Sequence, residues 1–302
     1  MTGVRELLEA GTSLIIQGDN LEALSELPDG CAGLVYIDPP FNTQKAQTAR
    51  RVRATQDPAG ERVGFAGRRY RTEEVSSVSY QDRFGDYLAF LGPRLREARR
   101  ILAADGSLFV HLDPREVHYC KVFLDGLFGR ACFMNEIIWS YDFGGRSRSR
   151  WSSKHDNILW YVRDPGRYVY QYEEIDRIPY LAPSLVGEEK AARGKTPTDV
   201  WWQTIVPTSG RERTGYPSQK PLKILDRIVR VHSRPSDLVV DFFAGSGTTG
   251  EAAARHGRQY LLVDAQPEAT DIMRARLAAY APAFLSLTEA GAGDPVVRSP
   301  AP

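Results

Sequence analysis

The tetrapeptide Asp38-Pro39-Pro40-Phe41 is where chemistry first becomes legible in this chain. Two consecutive prolines cannot continue a β-ladder or enter a helix interior, because each lacks an N–H and fixes φ. They make a stiff corner. The corner fixes the Asp38 carboxylate and the Pro39 carbonyl as acceptors in one small space, with the Phe41 ring beside them. Two converging acceptors and an aromatic plane suit a planar base with an exocyclic NH₂. Such an amine is a poor nucleophile, since its lone pair is delocalised into the ring. Hydrogen bonds to both its protons favour a pyramidal nitrogen and free the lone pair for attack. Taken alone, the same residues also describe a strand-terminating Asp-Pro turn with a core phenylalanine.

A second constellation is Asp241-Phe242-Phe243-Ala244-Gly245-Ser246-Gly247-Thr248-Thr249-Gly250, set between an apolar run and the helical pattern Glu251–Arg255. Gly245 and Gly247 let the backbone turn tightly and approach a ligand with no Cβ in the way. Asp264 closes the next apolar run, 19 residues after Gly245, where a carboxylate can grip a ribose diol. No lysine follows the glycines, which excludes a P-loop. The turn points to a nucleoside-containing ligand without naming it, and an ordinary strand–helix turn carries similar glycines.

These groups need a scaffold that brings them to one edge. Apolar runs at 13–16, 34–37, 107–112, 238–240 and 260–263 each lead into an aspartate and read as strands of a buried, mainly parallel sheet, whose carboxyl edge opens a crevice. Helical patterns lie between them, at 86–103 and 115–127, and His155 to Val162 reads as a further strand. The class is therefore α/β, doubly wound. Two segments break the rhythm. Residues 43–71 hold eight Lys/Arg (Lys45, Arg50, Arg51, Arg53, Arg62, Arg68, Arg69, Arg71) against Asp57 and Glu61, with poor apolar periodicity, which predicts a mobile basic loop. Residues 141–215 are mixed, and begin with the basic stretch Gly144-Gly145-Arg146-Ser147-Arg148-Ser149-Arg150-Trp151. From about Pro282 to Pro302 the chain is rich in small residues and reads as a frayed tail.

Composition narrows the classes. The 302 residues are 42% hydrophobic and 25% charged, enough for a sizeable core. The net charge of +1 means that any polyanion-binding face must arise from local clustering. Three cysteines, Cys31, Cys120 and Cys132, exclude a disulfide scaffold and suggest a reducing compartment. No apolar run reaches transmembrane length and no signal-peptide core is present, so a cytoplasmic protein that does not engage a membrane is expected. The five histidines show no metal-ligand spacing, and no metal is expected.

In this order the motifs resemble the amino-type DNA methyltransferases that use S-adenosylmethionine, in the permuted β class. That family has D/S/N-P-P-Y/F first, a target-recognition region next and F-x-G-x-G last. Here Asp38–Phe41 comes first and Phe243–Gly247 last. Tyr216-Pro217-Ser218-Gln219-Lys220-Pro221 resembles the family's H-P-T-x-K-P segment, and Ile16-Gln17-Gly18-Asp19-Asn20 its N-terminal GD segment. The stretches 106–128 and 211–215 are similar to the subgroup related to Type III modification subunits, though this chain is much shorter. The resemblance covers about residues 12–280. Three departures are Phe41 for the commoner Tyr, Tyr216 for His and Ser218 for Thr.

The resemblance implies a Rossmann-like sheet of seven strands with an inserted recognition region. It divides the chain into a catalytic half (12–140), a recognition region with sheet strands (141–215), a cofactor half (216–280) and a flexible tail (281–302). It implies methyl transfer to N6 of a flipped-out adenine in double-stranded DNA, with N4 of cytosine as the alternative. Asp at the first position leans towards adenine. Asp38, Pro39, Pro40 and Phe41 would be catalytic. Asp19 would meet the cofactor adenine, Asp264 its ribose and Lys220 its methionine end, with Asp241, Phe243, Gly245, Gly247, Thr248 and Thr249 lining the same pocket. Arg146, Arg148, Arg150, Trp151, Lys154 and His155 are the candidates for DNA contact, and the 43–71 segment could close over the base or clamp phosphate. The family also admits a homodimer and a cognate restriction endonuclease as partners, and a prokaryotic, nucleoid-associated setting. No Pro-Cys occurs, which argues against C5-cytosine chemistry. An NAD-dependent oxidoreductase fits the glycine turn but leaves the Asp38–Phe41 corner and basic segments unexplained. A silent DNA-binding module and a protein-glutamine methyltransferase stand further off, the latter because that family has Asn before the prolines and the unpermuted motif order.

Overall fold

Short strands with both faces apolar need cover on both sides, and the chain supplies it by alternating them with helices. The computed structural model describes residues 3–44, 47–63, 67–80, 82–207 and 210–287. In chain order the regular elements are α1 (Val4–Glu9), β1 (Leu14–Gln17), α2 (Asn20–Ser25), β2 (Ala32–Ile37), β3 (Gln47–Gln56), β4 (Arg62–Val63), β5 (Arg69–Tyr80), α3 (Tyr87–Ile101), β6 (Leu102–Leu112), α4 (Val117–Phe128), β7 (Phe133–Ser140), β8 (His155–Val162), α5 (Glu188–Arg193), β9 (Val200–Trp202), α6 (Leu222–His232), β10 (Leu238–Asp241), α7 (Thr248–Arg255), β11 (Gln259–Asp264), α8 (Pro267–Leu277) and β12 (Ala283–Ser286).

The main sheet has the order β12-β1-β11-β10-β2-β6-β8-β7-β9. From β12 to β6 every pairing is parallel, and β8 runs against both its neighbours. The mainly parallel, doubly wound α/β class stands, with nine strands in place of seven. The surplus comes from short strands at the two ends, β9 pairing with β7 and β12 with β1. β12 also corrects the tail expected from 281. Its backbone pairs with the otherwise open edge of β1, Leu285 is buried, and the Arg274 guanidinium stacks 4.7 Å from the Phe284 ring. Residues 288–302 lie outside the described residues.

The segment read as a mobile basic loop is instead mostly strand. β3 and β5 pair antiparallel from Gln47↔Tyr80 to Gln56↔Tyr70, with β4 added at β5. A ladder of backbone hydrogen bonds holds this ribbon, so it needs no apolar period for the sequence to betray. Lys45 lies outside the described residues.

Strand order decides where the site falls. From β2 the chain passes through α3 to β6, on one side; from β10 it passes through α7 to β11, on the other. Right-handed crossovers running in opposite directions put α3 and α7 on opposite faces of the sheet. Neighbouring strands whose connections diverge in this way leave a crevice at their carboxyl ends. β2 and β10 are such neighbours, with Val239 opposite Leu34 and Val240 opposite Val35. Beneath them the core is close-packed: Leu34, Val35, Val239, Val240, Leu261 and Leu262 are wholly buried, each side chain contributing about 1.5–3 kcal/mol by leaving water. α6 presses Ile224, Leu225, Ile228 and Val229 into the same core. No helix among the described residues is long and apolar enough to cross a membrane.

Candidate active site

β2 ends at Ile37, and the two prolines turn the chain away from the sheet with Asp38 at its carboxyl edge. The corner is pinned on one side by the Tyr87 hydroxyl at the start of α3, which donates to the Pro40 carbonyl at 2.7 Å. On the other side, Asn42 takes the left-handed conformation (φ 55°) and its N–H donates to Asp82 Oδ1 at 2.6 Å. Thr43 Oγ1 donates to Asp82 Oδ2 at 2.5 Å, and Asn42 Nδ2 to Glu116 at 2.7 Å. Residues 41–44 and 82–84 are thus the two feet of the β3–β5 ribbon, tied together beside the corner.

Asp38 Oδ2 accepts a 2.7 Å hydrogen bond from Lys220 Nζ. Asp38 Oδ1 is buried and has no hydrogen-bond partner among the described residues. Lys220 is only 7% exposed, and its ammonium stands 4.7 Å from the centroid of the Phe41 ring. Pro39 is buried behind the corner.

At the neighbouring strand end, the chain of β10 reaches Asp241, whose carboxylate accepts from the Phe243 N–H at 3.0 Å and Thr249 Oγ1 at 2.5 Å. Burial is the main cause that raises Asp241 to about 7, with the Asp38 and Asp264 charges adding to it. Asp264 is also raised, by burial, although its carboxylate accepts from the Gly245 and Gln266 N–H groups at 2.9 Å each. Gly245 (φ 49°) must be glycine, because a Cβ there would lie 2.8 Å from the Tyr216 ring. Thr248 Oγ1 donates to the Lys220 carbonyl at 3.2 Å. The glycine turn and the 216–221 segment are therefore one packed unit.

These residues surround a cavity of about 300 Å³, lined by Asp38 and Pro40 on one strand end, by Asp241, Phe243, Gly245, Thr248, Thr249 and Asp264 on the other, and by Phe84 and Phe90 as an aromatic wall. A second, wider cavity shares Tyr216, Ser218, Gln219 and Lys220 with the first and is lined further by Phe41, Trp139, Tyr141 and Asp156. Lys220 is thus on the partition between the two, next to Asp38.

Two residues expected at the cofactor lie elsewhere. Asp19 caps α2, accepting from the Leu21 and Glu22 N–H groups, and pairs with Arg94 at 3.3 Å; it does not line the cavity. Its neighbour Asn20 joins the turn instead, donating to the Phe242 carbonyl at 2.9 Å. Gly247 (φ 74°) is packed away from the cavity, since a Cβ there would lie 2.8 Å from Met273. Sequence reasoning missed a buried chain between the two cavities. The Tyr36 hydroxyl meets His111 Nδ1 at 2.7 Å, His111 Nε2 meets Asp156 at 3.2 Å, and the Tyr141 hydroxyl donates to Asp156 at 3.0 Å. Burial would raise Asp156, but its bonds to His111 and Tyr141 and the Lys220 charge hold it below the usual carboxylate range. A histidine inside an otherwise apolar strand run was the available signal.

Residues 32–275 match a family described as DNA methylase, the N6/N4 methylases. The chain belongs to that family. This methylase is 27% identical over 290 residues to Type II methyltransferase M.ScaI of Streptomyces caespitosus, covering 90% of this chain and 84% of that one. It is 27% identical over 267 residues to DNA adenine methyltransferase YhdJ of Escherichia coli K12, covering 84% and 79%. Two solved structures share its fold. The M1.HpyAVI–SAM complex superposes with a TM-score of 0.56 at 18% identity, over 87% of this chain and 98% of that one. The PvuII cytosine-N4-specific DNA methyltransferase superposes at 0.59 with 17% identity, over 88% and 86%.

Of the methylase's basic stretch, Arg150, Trp151 and His155 line the rim of the second cavity, and Trp151 is 98% exposed. Arg148 is exposed, and Arg146 pairs with Asp142 at 2.6 Å. Lys154 is turned inward: it donates to the carbonyls of Phe143 and Gly145 and holds its own loop. Cys120 is buried and its thiol pushed up to about 12 by burial, which leaves it unreactive.

Proposed function

We propose that this DNA methyltransferase transfers the methyl group of S-adenosylmethionine to the exocyclic N6 of an adenine flipped out of double-stranded DNA. The observation that carries this reading is the unpartnered Asp38 Oδ1, a buried acceptor on a carboxylate that lines the first cavity and is bonded to Lys220, which lines both. An orphaned buried acceptor costs about 1–3 kcal/mol, so its retention implies a donor that arrives with a ligand. An amino group reaching through the second cavity would supply it.

The residues of the first cavity fit the cofactor. Phe243, Phe90 and Phe84 offer flat apolar walls for a purine, Asp264 a carboxylate for a ribose diol, and Asp38 and Asp241 negative charge for a sulfonium. S-adenosylmethionine supplies an electrophilic methyl on that sulfonium. Phe41 would stack on the target ring, and Asp38 Oδ1 with the Pro39 carbonyl would hold both amino protons, aligning the nitrogen lone pair. Asp19 and Gly247 act from behind, capping α2 and packing α7. The acceleration then comes from in-line positioning and fixed acceptors. Extrusion of the base is required because the amine cannot reach the crevice from within a stacked duplex. Arg150, Trp151 and His155 at the rim are placed to meet the DNA around it.

Adenine is favoured over cytosine by the aspartate at the head of the tetrapeptide and by the name of the YhdJ relative. N4 of cytosine is the second reading, favoured by the PvuII neighbour. Mass analysis of nucleosides from plasmid incubated with the protein and cofactor distinguishes N6-methyladenine from N4-methylcytosine. Asp38→Ala should fold and bind cofactor yet lose roughly 10²-fold or more in transfer, as when one preorganised polar group is deleted. Near wild-type turnover would refute the role of Asp38.

A further inference from the structure

We infer that Lys220 and Asp38 form a two-point clamp for the N–C–NH₂ edge of the target base, with Lys220 Nζ donating to the ring nitrogen next to the amino group. The inference rests on the methyltransferase reading and extends it to how the base is recognised. A lysine ammonium carries three donors. Two are directed at Asp38 Oδ2, at 2.7 Å, and at the Ser218 carbonyl, at 3.4 Å. The third has no partner among the described residues. Beside it stands the unpartnered acceptor Asp38 Oδ1. A free donor and a free acceptor, held side by side by their own ion pair, are complementary to an edge that presents an acceptor and a donor side by side. Adenine presents N1 beside the 6-amino group, and cytosine N3 beside the 4-amino group; thymine has no amino group on its ring.

The Phe41 ring fixes the plane. A base stacked on it lies about 3.5–4.0 Å above the ring. An ammonium 4.7 Å from the ring centroid is near enough to meet the edge of that layer. The lysine is held there from below: its carbonyl accepts from Thr248, and its stem is buried on the partition between the cavities. Proton inventory also favours the arrangement. Nitrogen methylation leaves a cationic amine that must lose one proton, and the Asp38 carboxylate that holds an amino N–H is positioned to receive it, with Lys220 stabilising the carboxylate beforehand.

The test uses the full chain, S-adenosylmethionine and DNA duplexes whose target base is natural or lacks the ring nitrogen: 1-deazaadenine where adenine is the substrate, 3-deazacytosine where cytosine is. The target is placed opposite an abasic site, so that duplex pairing does not bias extrusion. The wild-type kcat/KM should fall about 10- to 100-fold on the deaza target, the scale of one charge-assisted hydrogen bond. Lys220→Met should lose a similar factor on natural DNA and no longer distinguish the two duplexes, a loss of discrimination that a merely structural lysine would not produce. Equal use of both duplexes by the wild-type protein would overturn the clamp, and this outcome stands whether or not the variant folds. Failure to methylate natural DNA at all would instead sink the methyltransferase reading, and the clamp with it.

Discussion

Asp241 is the residue on which the charge of the crevice turns. Its carboxylate is buried beside Asp38 and Asp264, and its raised value of about 7 means that it changes charge near neutral pH. A proton is bound below that value and lost above it, so the cavity becomes more negative as pH rises from about 6 to 8. S-adenosylmethionine carries a sulfonium charge that S-adenosylhomocysteine lacks. The preference for the former should therefore grow across this range, measured as the ratio of the two dissociation constants by calorimetry. Asp241→Asn should flatten the ratio. The same shift bears on folding. Between about pH 4 and 7 the folded state holds a proton that the unfolded chain has released, so this group's contribution falls as pH rises through that window and is level above it. The aspartate itself was legible in the sequence as the end of an apolar run before glycines. Its charge state was not, because that depends on how much water and how many other carboxylates surround it.

Among the elements, the β3–β5 ribbon is the one whose removal should separate DNA binding from cofactor binding. It springs from feet tied by Asp82 beside the Asp38–Phe41 corner, and its strands bring Arg50, Arg51 and Arg53 into register with Ser77, Ser76 and Glu73. Replacing residues 47–80 by a short Gly/Ser linker should leave cofactor affinity unchanged while weakening DNA binding. The slope of log affinity against log salt should become shallower by about 0.9 for each phosphate that the ribbon no longer neutralises. An unchanged slope would remove the ribbon from the interface. This element was invisible to a search for apolar period, because its sequence is polar at most positions and its strands are joined by a backbone ladder. β12 escaped for a related reason: four residues become a strand only because β1 offers an unpaired edge. The helices α3 and α4, by contrast, were legible to within a few residues, since each has a core-facing stripe such as Leu91, Leu95 and Ala98.

For the molecule as a whole, the decisive feature is the strand order that sets β2 beside β10. Because the first cavity is lined by halves that meet only in the folded sheet, a ligand bound in it should stabilise the entire fold. Saturation at about 100 times the dissociation constant corresponds to about 2.7 kcal/mol. S-adenosylmethionine should thus raise the melting temperature, and NAD should not. A rise with NAD alone would revive the oxidoreductase reading of the glycine turn. The sequence by itself determined the α/β class, the corner at Asp38–Phe41, the glycine turn and the order in which they occur, because these depend on local backbone chemistry and apolar period. Tertiary structure alone decided that Lys220 pairs with Asp38 and that Tyr36, His111 and Asp156 form one buried chain. Those facts arise from groups far apart along the chain that share one low-dielectric space, and neither spacing nor residue type encodes which buried group will find which partner.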